Sequence, residues 1–505
     1  MNLAELLERN ARTSGGKDAV RAGGEALTFR DLLVQARRAA ARLQAWGVRR
    51  GDAVAIMSHN TLAFPVAFHG AALAGAAVVP VNHKLAPPEV DYILGHSRAK
   101  AFLFDAALAG VAQALRAGPR AASLDGAVPG VARFDDALPS AEAFVPTALA
   151  DDDLAEILYT SGTTGKPKGC LHSHRNVLAA AVTGARAVKL DEGDRMLVAM
   201  PLLHSSPLNN WFLGAQYVGA TTVLLREYHP LRFLQTIQDE RCTVYFGAPV
   251  SYLLPLQLVP DFDRFDLGSM RAWIYGGGPI GAETARTLAA RYRSDRFYQV
   301  YGMTEAGPTG TVLLPSEQVA KAGSIGRTAL PGAELRVVRG DGADAGPGET
   351  GEIWLRADSM MQGYLADPEA TARAFTDGWF RTGDVARVDR DGYLFVVDRL
   401  KDVIIVGGEN VYSKAVEDAL AGHPGVAQVA VVGAPHPEWG ETVVAFVVRA
   451  KGSAVAQEEL QAFLSDKLAR FEIPREIRFA ESLPLTPTGK LMKYRLRDEL
   501  ARPRP

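Results

Sequence analysis

The chain has 505 residues, 48% of them apolar and 22% charged, near the globular average and ample for a sizeable core. Its 55 Lys and Arg against 57 Asp and Glu leave a formal charge of −2, so no global field exists to hold nucleic acid or an anionic membrane, and small molecules are the expected partners. The two cysteines, Cys170 and Cys242, cannot frame a disulfide-rich fold and lack zinc-ligand spacing, which fits a reducing cytoplasm.

At the N-terminus, MNLAELLERNART carries acidic residues where a secretory leader needs positive charge and then an apolar run, which argues against export. Between Asp52 and Lys84 there is no Asp, Glu, Lys or Arg, a length sufficient to cross a bilayer. Pro65 and Pro80 interrupt that stretch, however, and GAAVVPVN reads as a buried strand after a tightly packed helix, so no transmembrane segment is expected. Amphipathic helices such as LTFRDLLVQARRAAARLQAWG then alternate with short strands: DAVAIMS, GAAVVPV, TTVLL, CTVYFG, RAWIYGG and RFYQVYG. That alternation predicts α/β layers with largely parallel sheets. Residues 106 to 150, rich in Ala, Gly, Pro and Asp, read as a surface stretch. GETGEIWLRA and DGYLFVVDR alternate faces as antiparallel strands do, giving a β-rich subdomain before residue 398. Past Asp398 the pattern restarts as a compact α+β unit of roughly 100 residues, with the boundary between 398 and 402.

Chemistry concentrates in Tyr159-Thr-Ser-Gly-Thr-Thr-Gly-Lys-Pro-Lys-Gly169, which follows the apolar strand AEIL. Amides freed by glycine, hydroxyl donors and ammonium groups in one turn form a phosphate cradle. It is not a Walker A loop, since the Gly-Lys-Ser/Thr ending is missing. Gly276-Gly-Gly278-Pro-Ile-Gly281 formally satisfies a dinucleotide-binding GxGxxG. Proline inside that turn, a lone acidic candidate in Asp295 and a phosphate cradle elsewhere all weigh against an oxidoreductase.

Through YTSGTTGKPKG the chain resembles the adenylate-forming superfamily of acyl-CoA synthetases, luciferases and peptide-synthetase adenylation domains. The resemblance continues in order through PLLHSS (201 to 206), YGGGP (275 to 279), YGMTE (301 to 305), GEIW (351 to 354), RTGD (381 to 384), DRLKDVIIVGGENVYSKAVED (398 to 418) and PTGK (487 to 490). GTVLLPSEQVAKAGSIGR, WFRTGD and GGENVY look most like bacterial and mycobacterial fatty-acyl-CoA ligases. What it implies is a large N-terminal domain (1–398) of two α/β subdomains and a β-rich subdomain, a hinge (399–401), and a small mobile α+β domain (402–505). The implied reaction joins a carboxylic acid to ATP as acyl-AMP, releasing pyrophosphate, and then to CoA, releasing AMP. Each step moves negative charge, so lysines, amides and Mg²⁺ are the expected source of rate.

Carried over residue by residue, the resemblance places Ser161, Gly162, Thr163, Thr164, Gly165 and Lys168 on the β and γ phosphates, and Thr304 on the α-phosphate. Glu305 would ligate Mg²⁺ with Thr160 as hydroxyl companion. Asp384 would bind both ribose hydroxyls, with Arg399 a second ribose contact. Gly276, Gly277, Gly278 and Pro279 would pass along the adenine and the acyl pocket, flanked by Gln299 and Tyr301. Val300 stands where plant coumarate ligases carry glycine, which narrows the expected pocket floor. His204 resembles the lid residue beside the acyl carboxylate. His172 and His174, two apart on an expected helix, would diverge too far to share a metal.

Lys490 would bridge the carboxylate and the α-phosphate during adenylation, and Lys401 marks the hinge. After rotation Gly407 and Gly408 would approach the CoA pantetheine; Gly407 replaces a lysine of coumarate ligases, leaving the CoA nucleotide contacts unplaced. No insertion follows GEIW of the kind that hinders rotation in carrier-protein ligases, so CoA is the expected acceptor and a carrier protein the alternative. Ser206, Asn210, Trp211 and Gly276 offer small or apolar pocket surfaces without a Lys or Arg for a second carboxylate. A medium- or long-chain fatty acid is therefore expected, with an aryl acid the alternative and dicarboxylates disfavoured. Pro484 and Gly489-Lys490 also resemble the recognition spacing of bacterial protein acetyltransferases, which makes an acetyltransferase and deacetylase pair at Lys490 a further expected partner.

Overall fold

Strands of alternating burial and helices with apolar stripes assemble here into sheets covered on both faces. A computed structural model describes residues 1–115, 118–136, 138–160, 167–485 and 491–501. The chain forms two compact units, Met1–Leu335 with Leu355–Phe380, and Arg336–Trp354 with Arg381–Pro505. Compactness thus groups the 336–354 and 381–398 segments with the C-terminal unit.

The first unit holds two mainly parallel sheets. One has nine strands, in the order Thr328–Ala329, Thr311–Leu313, Phe297–Tyr301, Ala272–Gly276, Val244–Gly247, Arg195–Val198, Thr221–Leu224, Asp18–Ala22, Glu25–Thr28. The other has eight, in the order Gly363–Tyr364, Lys168–Ser173, Leu154–Thr160, Ala77–Pro80, Ala53–Met57, Ala99–Phe104, Arg120–Ser123, Ala132–Arg133. Alternation within a strand sorts its side chains to opposite faces. Val54 and Ile56 join the core that also holds Phe64, Phe68, Trp211 and Ile274, while Ala55 and Met57 turn to Val79, Phe102 and Phe104. The charge-free segment after Asp52 holds the strand Ala53–Met57, the helix Ala63–Leu73 and the strand Ala77–Pro80, buried except for partial exposure at Ala63 and Val66 of the helix. Among the described residues no helix is long and apolar enough to cross a membrane.

Residues 106 to 150 are not wholly surface. Arg120–Ser123 extends the eight-stranded sheet in parallel with Ala101 to Phe104, with Ala122 and Ser123 fully buried. An arginine and three small residues, next to the sheet's edge strand, carry too little apolar pattern to announce a strand.

In the second unit, residues 384–388 pair antiparallel with Leu394–Arg399 as a hairpin. A five-stranded sheet follows, with Gly440–Arg449 at its centre between Val426–His436 and the parallel strand Glu476–Phe479. Val443, Ala445 and Val447 pack against Val416, Leu420, Leu460 and Leu464, and the alternating Val444 and Phe446 against Leu496 on the opposite face. Both faces are therefore covered by helices.

Candidate functional site

Ligands of open α/β sheets bind at the carboxyl ends of the strands. The signature segments of the first unit all stand there. PLLHSS follows Arg195–Val198, the glycine run ends Ala272–Gly276, YGMTE ends Phe297–Tyr301, and the phosphate-cradle segment leaves Leu154–Thr160. Ser161 to Gly165 and Lys490 lie outside the described residues.

Thr160 and Lys168 are register partners on the two strands that flank the cradle. The Lys168 Nζ lies 4.8 Å from the centroid of the Tyr364 ring, and the Tyr364 hydroxyl donates to Glu305 Oε1 at 3.2 Å. A cation over its aromatic face and a carboxylate at its hydroxyl bring the basic and acidic side chains to one ring. The Glu305 carbonyl accepts from the Met361 amide at 2.9 Å, and Thr304 Oγ1 meets Ser205 Oγ at 3.0 Å. Burial, reinforced by Glu305, pushes the Tyr364 phenol above its ordinary range. The same two influences raise the Cys170 thiol, which keeps it an inert packing group beneath the site. Tyr364 was not among the residues expected from sequence; it sits in QGYL, a run without other reactive groups.

The wall beside this cluster is apolar. Trp211 is 2% exposed, stacks on Phe246 with ring centroids 5.3 Å apart, and donates its indole N–H to Ser206 Oγ at 3.1 Å. Residues 206–212 form a π-helical turn, a local widening that recurs at functional sites. Asn210 on it is turned to the helix His174–Ala187, donating to the Ala180 carbonyl at 3.0 Å. Gly276 and Val300 are register partners, and a Cβ at Gly276 would meet Phe246 at 3.1 Å and Val300 at 3.1 to 3.2 Å. A side chain at Gly276 would thus crowd Val300 and Phe246, which would have to give by a few tenths of an ångström. Gly277, Gly278 and Pro279 continue as a turn open to added atoms at both glycines. Gln299 is buried with its Oε1 lacking a hydrogen-bond partner, and Tyr301 closes the same strand. His204 is half-buried, with its amide on the Pro201 carbonyl at 3.2 Å.

Behind the phosphate-cradle strands lies a second polar group. Glu156 and His172 face each other across the strand pair, both fully buried. Asn209 donates Nδ2 to Glu156 Oε2 at 3.0 Å, while Glu156 Oε1, Asn209 Oδ1 and both His172 ring nitrogens lack a well-formed hydrogen bond. Burial lifts the Glu156 carboxyl to about 8, against the pull of Asn209. Burial likewise lowers His172 to about 4, against weaker pulls from the Thr304 and Ser359 backbones. His172 lies on a strand, not the expected helix, and His174 starts the next helix with its Nδ1 accepting from the Leu3 amide at 3.4 Å. Both are core residues.

In the second unit Asp384 and Arg399 are register partners across the hairpin, with Nε 3.1 Å from Oδ1. Lys401 is exposed in the turn Leu400–Asp402, whose Asp402 is held by Arg497. Gly407 and Gly408 form the two-residue turn between Ile404–Val406 and Glu409–Val411, both with positive φ (61° and 92°), as a type I′ hairpin requires.

Against known proteins, the AMP-binding enzyme family matches residues 7–365, and the AMP-binding enzyme C-terminal domain matches 415–490. A feruloyl-CoA synthase from Amycolatopsis is 40% identical over 497 residues, 97% of each chain. The long-chain-fatty-acid–CoA ligase FadD13 of Mycobacterium tuberculosis is 37% identical, over 94% of this chain and 93% of its own. Among solved structures, the O-succinylbenzoate coenzyme A synthetase MenE of Bacillus subtilis, in complex with ATP and magnesium ion, matches with a TM-score of 0.84 and 28% identity over 98% of this chain and 99% of its own. Signature segments gathered at the strand ends and a match running almost end to end give one conclusion: the chain belongs to the AMP-binding, adenylate-forming enzyme family.

Proposed function

We propose that the protein is an ATP-dependent acyl-CoA synthetase acting on a monocarboxylic acid. A carboxylate oxygen attacks the α-phosphorus of ATP and the bond to the β-phosphate breaks, releasing pyrophosphate. The CoA sulfur then attacks the acyl carbonyl, the bond to AMP breaks, and the thiol proton leaves to solvent. The observation that carries this reading is the Lys168, Tyr364 and Glu305 chain beside the phosphate-cradle strands. It offers a cation to phosphate oxygens and a carboxylate to a metal, which is what phosphoryl transfer needs.

The donor set suits a hard divalent cation, with Glu305 and the Thr160 hydroxyl as its oxygen ligands. Mg²⁺ bound there would neutralise phosphate charge. Thr304, tied to Ser205, would hold the α-phosphate, and His204 would stand beside the acyl carboxylate. The unsatisfied Gln299 Oε1 suits a donor such as the adenine amino group. Asp384 and Arg399, already paired, would share the ribose hydroxyls, and Gly407 and Gly408 the pantetheine. The site-residue assignments, the Lys490 bridge and a hinge at 399–401 centred on Lys401 rest on the family resemblance. The turn at Lys401 is compatible with a backbone that changes direction there.

A fatty acid of medium or long chain is the proposed substrate, supported by the apolar Trp211, Phe246 and Val300 wall. An aryl acid is the second reading, favoured by the Trp211 and Phe246 stack and by the feruloyl-CoA synthase relative. Purified protein with ATP, Mg²⁺, CoA and a panel of fatty, cinnamic and dicarboxylic acids, scored by AMP release, tests both. The expected result is acid-dependent AMP and CoA ester with one monocarboxylic class. AMP release that needs no CoA and yields no CoA ester would overturn the acceptor, and no acid-dependent AMP at all would overturn the reading.

A further inference from the structure

His59, His83 and Glu227 play no part in the chemistry above, yet their ligand atoms lie within 4.8 Å of one another. Among the described residues no other trio of His, Cys, Asp or Glu is so arranged. The fold explains the meeting. In the eight-stranded sheet, Ala53–Met57 is flanked by Ala77–Pro80 on one side and Ala99–Phe104 on the other, so the chain reverses its winding there. Such a reversal opens a crevice at the carboxyl ends of the strands. His59 follows the first of these strands, His83 the second and Asp105 the third, while Glu227 comes from the carboxyl end of Thr221–Leu224 in the nine-stranded sheet.

His59 Nδ1 lies 2.6 Å from Asp105 Oδ2, whose side chain is 1% exposed. A buried carboxylate behind one ring nitrogen is the usual partner of a metal-ligating histidine. The other ring nitrogen, Nε2, sits 3.3 Å from Glu227 Oε1. Ligands bound about 2.0 to 2.1 Å from a tetrahedral ion are about 3.3 to 3.4 Å apart, which this spacing matches. His83 completes the group: its ring centroid is 4.7 Å from that of His59, and its Nδ1 is buried without a hydrogen-bond partner. The nearby Arg226 lies 2.7 Å from Asp105 Oδ2 and 3.8 Å from Asp125 Oδ2, and its Nη2 is 3.3 Å from His59 Nδ1, so it bears on the carboxylate side of His59 rather than on Nε2.

From this geometry we infer that His59, His83 and Glu227 bind a divalent first-row transition metal of the zinc class, with Asp105 as the carboxylate behind the ligating His59. Two imidazoles and one carboxylate select zinc over Mg²⁺ or Ca²⁺, which prefer all-oxygen sites. The ion would clip together the carboxyl ends of the two sheets. Its effect would reach the acyl side through Asn60, the neighbour of His59, which donates to the Met200 carbonyl at 3.0 Å and accepts from the Leu202 amide at 3.0 Å. Those two contacts hold the loop that enters PLLHSS.

The test is titration of chelator-stripped, full-length protein with Zn²⁺ against a chromophoric competitor, repeated with Co²⁺ to read coordination from its visible absorption. One Zn²⁺ per chain, a tetrahedral Co²⁺ spectrum, and at least a tenfold weaker affinity in both His83→Gln and Glu227→Gln are expected, with His436→Gln unchanged. Circular dichroism of the variants separates lost ligation from lost folding, and a Zn²⁺-induced rise in Tm confined to chains keeping the trio gives a second readout. No stoichiometric binding would mean that Asp105 and Glu227 hold His59 without a metal, and the inference fails. It fails equally if the variants bind Zn²⁺ as the parent does, or if Mg²⁺ displaces it.

Discussion

Two polar clusters border the same pair of strands, and they differ in how their charges are satisfied. Around Glu305, half-buried groups have partners: Tyr364 donates to the carboxylate and Lys168 lies over the Tyr364 ring. Around Glu156, fully buried groups are left with unsatisfied atoms, and burial drives both Glu156 and His172 toward their neutral forms. A charge kept at the rim of a site remains available to an incoming phosphate or cation, whereas one sealed in the core is neutralised. The first cluster should therefore govern turnover and the second the pH dependence of stability.

The contrast breaks most visibly at Lys168. Lys168→Met should reduce acid-dependent ATP–pyrophosphate exchange by about 10²-fold with Tm unchanged, because the ammonium is worth most to the charge developing in the transition state. Near-parental exchange would return Lys168 to a packing role on Tyr364. Tyr364→Phe is milder: it keeps the ring beneath Lys168 and deletes one hydrogen bond to a charged group, so about a tenfold loss of exchange is expected. A matched loss in Tm would instead mark the phenol as structural.

The Glu156 cluster should respond in stability alone. Folding raises Glu156 from 4.5 to about 8, so its contribution is full below 4.5 and is lost as pH climbs to about 8. His172 and His174, with His69 of the buried helix Ala63–Leu73, are lowered by burial from 6.5 to about 4, so theirs is present above 6.5 and lost as pH falls to about 4. Three histidines outweigh one glutamate below 6.5 and Glu156 acts alone above it, placing maximum stability near pH 6.5. Urea midpoints should fall between pH 6.5 and 8 by the equivalent of about 2 kcal/mol, and Glu156→Gln should abolish that fall. An unchanged slope in the variant would show that Glu156 ionises normally.

Much of the site was legible because phosphate chemistry demands glycine, hydroxyl and lysine at close spacing, as in residues 159 to 169, and because each such segment ends a recognisable apolar strand. What stayed hidden depended on register and topology. Glu156 reads as one polar residue in the strand AEIL until pairing sets it opposite His172. Tyr364 is an isolated tyrosine until a two-residue strand places it beside Cys170 and its hydroxyl on Glu305. His172 was expected on a helix because the helix beginning at His174 follows it directly, and the Ser173 to Asn176 capping box that divides strand from helix is visible only as geometry. His59, His83 and Glu227 come from three separate strand ends, so no spacing in the sequence connects them.

ATP–pyrophosphate exchange of Glu305→Gln and Glu156→Gln, measured together at pH 6.5 with saturating Mg²⁺, ATP and acid, decides whether the Glu305 cluster carries the chemistry and the Glu156 cluster does not. A loss of about 10²- to 10³-fold is expected in Glu305→Gln and less than about threefold in Glu156→Gln. Equal losses in the two variants, or unimpaired exchange in Glu305→Gln, would overturn that division.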